Sequence, residues 1–170
     1  MKTNERVTDK ILISACFLGE RVRYNGEAKP LVNVLIKEWQ KQGRLIPVCP
    51  EVTSGLPVPR PPAEIDPVTK KVITIESVDV TEQFEKGAEI ALRLCQQHNI
   101  RLALLKESSP SCGSNSVYDG TFSQQKIIGE GVTTKLLRAN GIKVFSEASI
   151  AQLAAQIGCT NWQLKFFDKC

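Results

Sequence analysis

Four apolar runs of four or five residues, Ile11–Ala15, Arg44–Val48, Arg101–Leu105 and IKVF at 142–145, alternate with segments that read as helices, and this alternation constrains the fold most. Runs this short and apolar suit buried strands, because a helix needs roughly 10 residues or more to bury a face. After the first run, Pro30 stands at a first helical position ahead of LVNVLIKEWQKQG, with Gly43 placed to end that helix. Before the third, Asp79 and Glu82 have capping-box spacing, and Phe84, Ala88, Ala91, Leu92 and Cys95 share one helical face. Thr133–Ala139 closes on Asn140-Gly141, and SEASIAQLAAQIG opens with Ser146 as an N-cap. Strands and helices in this order predict an α/β fold, a three-layer Rossmann-like domain with a mainly parallel sheet of about four strands and right-handed crossovers. Lys71–Ile75, rich in β-branched residues, is expected to add a small accessory strand or hairpin.

At 170 residues the chain has the size of one domain, 1–170, with its last helix and tail at 147–170. No stretch approaches the roughly 20 apolar residues of a membrane helix. The opening MKTNERVTD lacks the apolar core of a signal peptide, so a cytoplasmic location with reduced thiols is expected. A net charge of +4, not gathered into a basic run, gives little support for nucleic-acid binding. Six prolines from Pro50 to Pro67, both ends included, are expected to exclude a helix there and to make a stiff, extended loop long enough to cover a pocket.

Cys16, Cys49 and Cys112 each stand where an apolar run gives way to a loop rich in Gly, Pro or Ser. Doubly wound sheets bind ligands outside the carboxyl ends of their strands, near the point where strand order reverses. Three thiols delivered to that edge have the layout of a metal site, and soft thiolates favour zinc or iron-sulfur clusters over hard cations. Structural zinc sites ordinarily draw two ligands from a C-x2-4-C knuckle. The chain has none, and its single histidine, His98, falls at a helix end. Three thiolates without a fourth ligand leave a position open, as a catalytic centre does. A lone cysteine at a strand end is more often a small buried apolar residue, and only the shared edge argues otherwise for these three together. Cys95, on the apolar helix face, reads as packing; Cys159 and Cys170 lie in a tail that is a candidate for docking or dimer contacts.

The loops carry further candidates. The run from Ser108 to Ser114 offers hydroxyls and backbone N–H groups to cluster sulfides or an anion, or is an ordinary polar turn. Glu51 is the carboxylate nearest to a candidate ligand, a general base or an exposed loop charge. Arg60 and Glu64 either line a pocket or form an ion pair pinning the Pro-rich loop, and Tyr24, Asn25 and Tyr118 either meet a planar base or pack.

The segments SACFLG with RYNG, PVCPE followed by GLPVPRPPAE, FEKGA, and KESSPSCGS followed by YDGTF and GEGVTT run in that order between about Ile11 and about Ser146. Together they resemble the thiouracil desulfurase family, a bacterial domain formerly of unknown function. The resemblance implies a [4Fe-4S] cluster held by Cys16, Cys49 and Cys112, with one iron not ligated by protein. It implies hydrolytic removal of sulfur from a thiolated pyrimidine such as 2-thiouracil, with the thione sulfur on that iron, water attacking the ring carbon and hydrosulfide released. In that pattern Glu51 is the acid/base residue, Ser109 a second catalytic or positioning group, and Ser111 a neighbour at the substrate pocket. The partner is then a small thiolated base, a thiolated tRNA staying open, for a monomer or homodimer with no membrane association. The alternative from another class is a non-catalytic iron-sulfur sensor or carrier, against which the open iron and the pocket-covering loop argue. A thiol enzyme with Cys16 as nucleophile fits poorly, since Cys16–Arg21 has one glycine and an acidic residue where an anion cradle needs amides.

Overall fold

The computed structural model describes residues 9–157. β1 (Ile11–Ser14) leads through one 3-10 turn, Ala15–Leu18, to α1 (Val34–Lys41) and β2 (Leu45–Val48). The one-turn helix α2 (Pro50–Thr53) follows, then an antiparallel pair, β3 (Ala63–Ile65) with β4 (Val72–Thr74), and the long helix α3 (Thr81–Gln97). β5 (Leu102–Leu104) precedes a second antiparallel pair, β6 (Ser116–Tyr118) with β7 (Lys126–Ile128), and α4 (Val132–Ala139), β8 (Lys143–Phe145) and α5 (Ile150–Gln156) complete the order.

The main sheet has the order β2-β1-β5-β8, and every pair in it is parallel. The chain steps from β1 outward to β2, crosses back past β1 to β5 and continues to β8, so the winding reverses between β1 and β5. Connections leaving the two strands at such a reversal go to opposite faces and open a crevice at the carboxyl edge. Cys16 follows β1, Cys112 follows β5, and Cys49 follows the neighbouring β2. Register brings the strand ends level, with Ser14 opposite Val48 and Ile13 opposite Leu104.

The sheet is covered on both faces. Ile11 and Ile13 pack with Ile36 and Trp39 of α1 and Leu153 of α5, whereas Leu12 packs on the other side with Ala91 and Cys95 of α3 and Leu137 of α4. All three consecutive β1 residues are therefore fully buried, as expected for a central parallel strand. Each such Leu or Ile contributes about 1.5–3 kcal/mol on burial, so these two layers, and not cysteine ligation, supply the main driving force for folding. A third cluster of Val72, Val80 and Phe84, with Leu56, Ala63 and Ile65 against it, fastens the β3–β4 pair to the start of α3.

Two glycines let helices approach the cysteine loops closely. A Cβ at Gly87 of α3 would lie 2.2 Å from the Pro50 carbonyl oxygen, and one at Gly131, just before α4, 2.4 Å from that of Ser111. These glycines belong to the FEKGA and GEGVTT motifs, and they set how far Cys49 and Cys112 stand from the helices behind them.

The structure corrects several local expectations. α1 starts at Val34 rather than at Pro30, with Asn33 capping it through a 2.8 Å bond from Leu35 N–H. The preceding residues are claimed by the Cys16 turn: Lys29 N–H donates to the Cys16 carbonyl and Leu31 N–H to that of Phe17. The Pro-rich segment does contain one helical turn, α2, because Pro50 occupies its first position, where the missing N–H costs nothing. The segment also contributes β3. The Asp79–Glu82 capping box does not form; Asp79 Oδ1 accepts from both N–H and hydroxyl of Thr81 instead. The polar stretch after Cys112 contains β6, and the β6–β7 pair was not foreseen. Ser146 caps the turn before α5 as expected, reciprocated by Ser149. The tail with Cys159 and Cys170 lies outside the described residues. Among those residues, no helix is long and apolar enough to cross a membrane.

Candidate metal centre

Cys16, Cys49 and Cys112 line one cavity of ≈ 820 Å³, each delivered by a different local device. Cys16 sits in the 3-10 turn closed by Gly19 (φ 93), and its carbonyl accepts from both Gly19 and Lys29 N–H. Cys49 immediately precedes α2, its thiol facing the Val22 carbonyl at 3.8 Å. Cys112 is held by the Ser109 hydroxyl, whose oxygen accepts from Ser111 and Cys112 N–H at 3.1 and 3.2 Å, and by Thr134 Oγ1 donating to the Cys112 carbonyl.

The electrostatics show the thiols to be neighbours. Burial pushes the Cys16 thiol up to about 11, with Cys49 adding to the rise and the Lys106 and Arg23 cations drawing it back. Burial also raises Cys49, while the Val52 and Glu51 backbone N–H groups and Arg60 oppose it and Glu51's charge adds to it. Cys112 is raised by burial, then by Cys49, Glu51 and Cys16, with the Ser111 hydroxyl opposing. The three sulfurs thus sense one another, yet among the described residues no three His, Cys, Asp or Glu side chains are gathered tightly enough for a single metal ion. A lone tetrahedral zinc holds its thiolates at about 2.3 Å. Soft donors from three separate loops lining one cavity suit an iron-sulfur cluster, which is held by cysteine thiolates on its separate irons.

Glu51 and Ser109 line the same cavity. Arg60 meets Glu51 Oε2 through Nη2 at 2.6 Å and Nε at 2.7 Å, in a pair whose side chains are 6% and 14% exposed. Glu51 Oε1 has no hydrogen-bond partner among the described residues, and the side chain keeps 14% of its surface open in the lining of the cavity. Its position leaves that oxygen available to a proton donor in the cavity. Ser111 is not at the cavity: it is 0% exposed, and its hydroxyl pairs with Thr133 Oγ1 at 2.9 Å, anchoring the loop to α4. The Arg60–Glu64 pair is likewise not made, because Glu64 Oε2 accepts from Gly120 and Phe122 N–H and ties β3 to the loop after β6. Tyr24 and Tyr118 line the cavity, whereas Asn25 bonds Glu27 outside it. His98 caps the far end of α3, and Cys95 packs in the core, as expected.

Sequence reasoning missed Glu107. The Ser108 and Ser114 N–H groups, two of those offered to a bound anion, go to this carboxylate: its Oε1 accepts from the backbone of Ser108, Ser114, Asn115 and Ser116, and its Oε2 from the Ser114 hydroxyl at 2.6 Å. Burial opposes ionisation, but these bonds outweigh it and hold the carboxyl at about 2, against an ordinary 4.5. The signal was a carboxylate directly ahead of a serine-rich turn, the pattern of a side chain that folds its own loop. A carboxyl lowered on folding contributes stability above its ordinary value of 4.5, and loses it as pH falls toward 2. Glu107→Gln should therefore cost about 1–3 kcal/mol of stability at neutral pH, read as a lower urea midpoint. It should also flatten the loss of stability between pH 4.5 and 2; parallel curves for variant and parent would refute the assignment. Lys106 was also missed. Its ammonium bridges Glu147 at 2.6 Å and the Glu107 carbonyl at 2.9 Å beside the cavity.

Fold and site together define an α/β protein with a candidate three-thiolate metal centre at the sheet's reversal point. Residues 11–149 match the family model described as 2-thiouracil desulfurase, and the chain belongs to that family. It is 41% identical over 145 residues to the uncharacterized protein YbbK of Bacillus subtilis strain 168, covering 81% of this chain and 95% of that one. It is 48% identical to the solved structure of the [4Fe-4S]-dependent thiouracil desulfidase TudS, with a TM-score of 0.86 over 89% of this chain and 99% of that chain.

Proposed function

We propose that this protein is a [4Fe-4S]-dependent desulfurase that hydrolytically removes sulfur from a 2-thiouracil-like pyrimidine and releases hydrosulfide. The observation that carries the reading is the convergence of three thiols, Glu51 and Ser109 on one cavity in a chain of this family. Cys16, Cys49 and Cys112 would hold the cluster, which when bound would supply a Lewis-acidic iron suited to a thione sulfur. Glu51 Oε1 takes a proton from the water that attacks the ring carbon. Ser109, whose oxygen is occupied as an acceptor by two backbone N–H groups, keeps its own O–H to donate toward the substrate. Tyr24, Tyr118 and Phe122 supply ring faces along the cavity wall for a planar base. The exchange of C=S and water for C=O, hydrosulfide and a proton leaves every oxidation state unchanged, so no reductant enters.

Anaerobically prepared protein incubated with 2-thiouracil alone should yield uracil and sulfide in equal amounts, followed by chromatography and a sulfide assay. A requirement for added reductant would overturn the hydrolytic mechanism. Intact cluster with no turnover of any thiolated pyrimidine would favour the sensor or carrier reading. A thiolated tRNA offered in the same assay distinguishes a free base from a polymer as the substrate.

A further inference from the structure

The Glu51 carboxylate is held from one side only. Both guanidinium contacts fall on Oε2, and the same Arg60 donates from Nη2 to the Val22 carbonyl at 3.1 Å and from Nη1 to the Pro57 carbonyl at 3.2 Å. The Val22 carbonyl is also the group that faces the Cys49 thiol. One nearly buried side chain therefore ties the loop after β1, the turn of α2 and the Pro-rich segment together around the carboxylate assigned to the water. We infer that Arg60 is a positioning residue for the reaction, acting through Glu51: it fixes Oε2 so that Oε1 points to the substrate side of the cavity. The inference rests on the desulfurase reading.

The reason lies in what a planar fork does and a point charge does not. A guanidinium with Nε and Nη2 on one oxygen and further donors on two carbonyls fixes the place of that oxygen, and with Glu51 anchored at its backbone this narrows where Oε1 can lie. A general base gains most of its effect when it is already oriented toward the proton it accepts. Without the fork, a glutamate on a four-residue helix has free rotamers, and the fraction of time spent aimed at the water falls. The contacts to Val22 and Pro57 mean that Arg60 also shapes the loop beside Cys49, so loss of activity in a single variant does not separate the two roles.

A double-mutant cycle does. Cluster-loaded Arg60→Met should lose at least 10-fold in kcat on 2-thiouracil with a KM within a few-fold of the parent and unchanged iron content. Combined with Glu51→Gln it should be no slower than Glu51→Gln alone, because a residue that works through another has nothing left to orient. Arg60→Lys, which keeps the charge but not the fork, should be intermediate and show the same masking; it serves as the cycle if the Met variant fails to fold. Losses that multiply in the double variant, or that track loss of iron, would overturn the inference. A crystal structure of Arg60→Lys reads the claim without turnover: Glu51 should adopt new or multiple orientations. An unmoved carboxylate overturns it, whereas a parent protein inert toward 2-thiouracil sinks only the desulfurase reading.

Discussion

Replacing any one of Cys16, Cys49 and Cys112 by alanine should give folded, colourless protein without desulfurase activity, whereas the anaerobically prepared parent should be brown. The three sulfurs come from the loops after three different strands, and the further cysteine among the described residues, Cys95, packs in the core. Two thiolates cannot hold a cluster built for three, and activity should fall to the assay's floor instead of by a modest factor. Folding should survive, because the apolar layers on both faces of the sheet are formed by residues such as Ile11, Leu12, Trp39 and Leu137. Iron and acid-labile sulfide content, visible absorption and far-ultraviolet circular dichroism together check this. A variant that keeps its colour and its turnover would remove that cysteine from the centre, and a parent holding stoichiometric zinc when prepared without oxygen would remove the cluster altogether.

Glu51→Gln should show the opposite pattern. Iron content and colour should match the parent, while turnover drops by about 10² to 10⁴, the usual worth of a positioned general base. Glutamine has the shape of glutamate and still offers an oxygen to Arg60, so the loop geometry is preserved and the loss reports the missing proton acceptor. Single-turnover sulfide release measured beside iron content separates this from cluster loss. An unchanged rate would leave Glu51 as only the inner half of a structural ion pair with Arg60.

Several parts of the molecule were legible in the residues because the signal is local. Ile11–Ser14 is buried on both faces and reads as a continuous apolar run; α3 shows its buried stripe at helical spacing, with Phe84, Ala88, Ala91 and Cys95 all buried. Strand-end placement alone pointed to the three cysteines, since a parallel sheet sends every carboxyl end to one edge. Other parts depend on partners distant in sequence. The start of α1 moved because Lys29 and Leu31 N–H bond the loop after β1. Ser111 looked like a pocket residue beside Cys112, but its hydroxyl is drawn to Thr133, 22 positions away. β6 and β7 are three residues each and nearly featureless alone.

What the amino-acid order determined by itself was the alternation of strand and helix and the edge to which Cys16, Cys49 and Cys112 belong, because both follow from periodicity and from the direction of parallel strands. What tertiary structure alone decided was orientation. Arg60 chose Glu51 over Glu64, Glu107 took the Ser108 and Ser114 N–H groups, and Gly87 and Gly131 set the spacing of the cysteine loops from the helices behind them. Such choices depend on hydrogen-bond geometry and contact distances of a few ångströms between residues far apart in the chain, and no linear pattern encodes them.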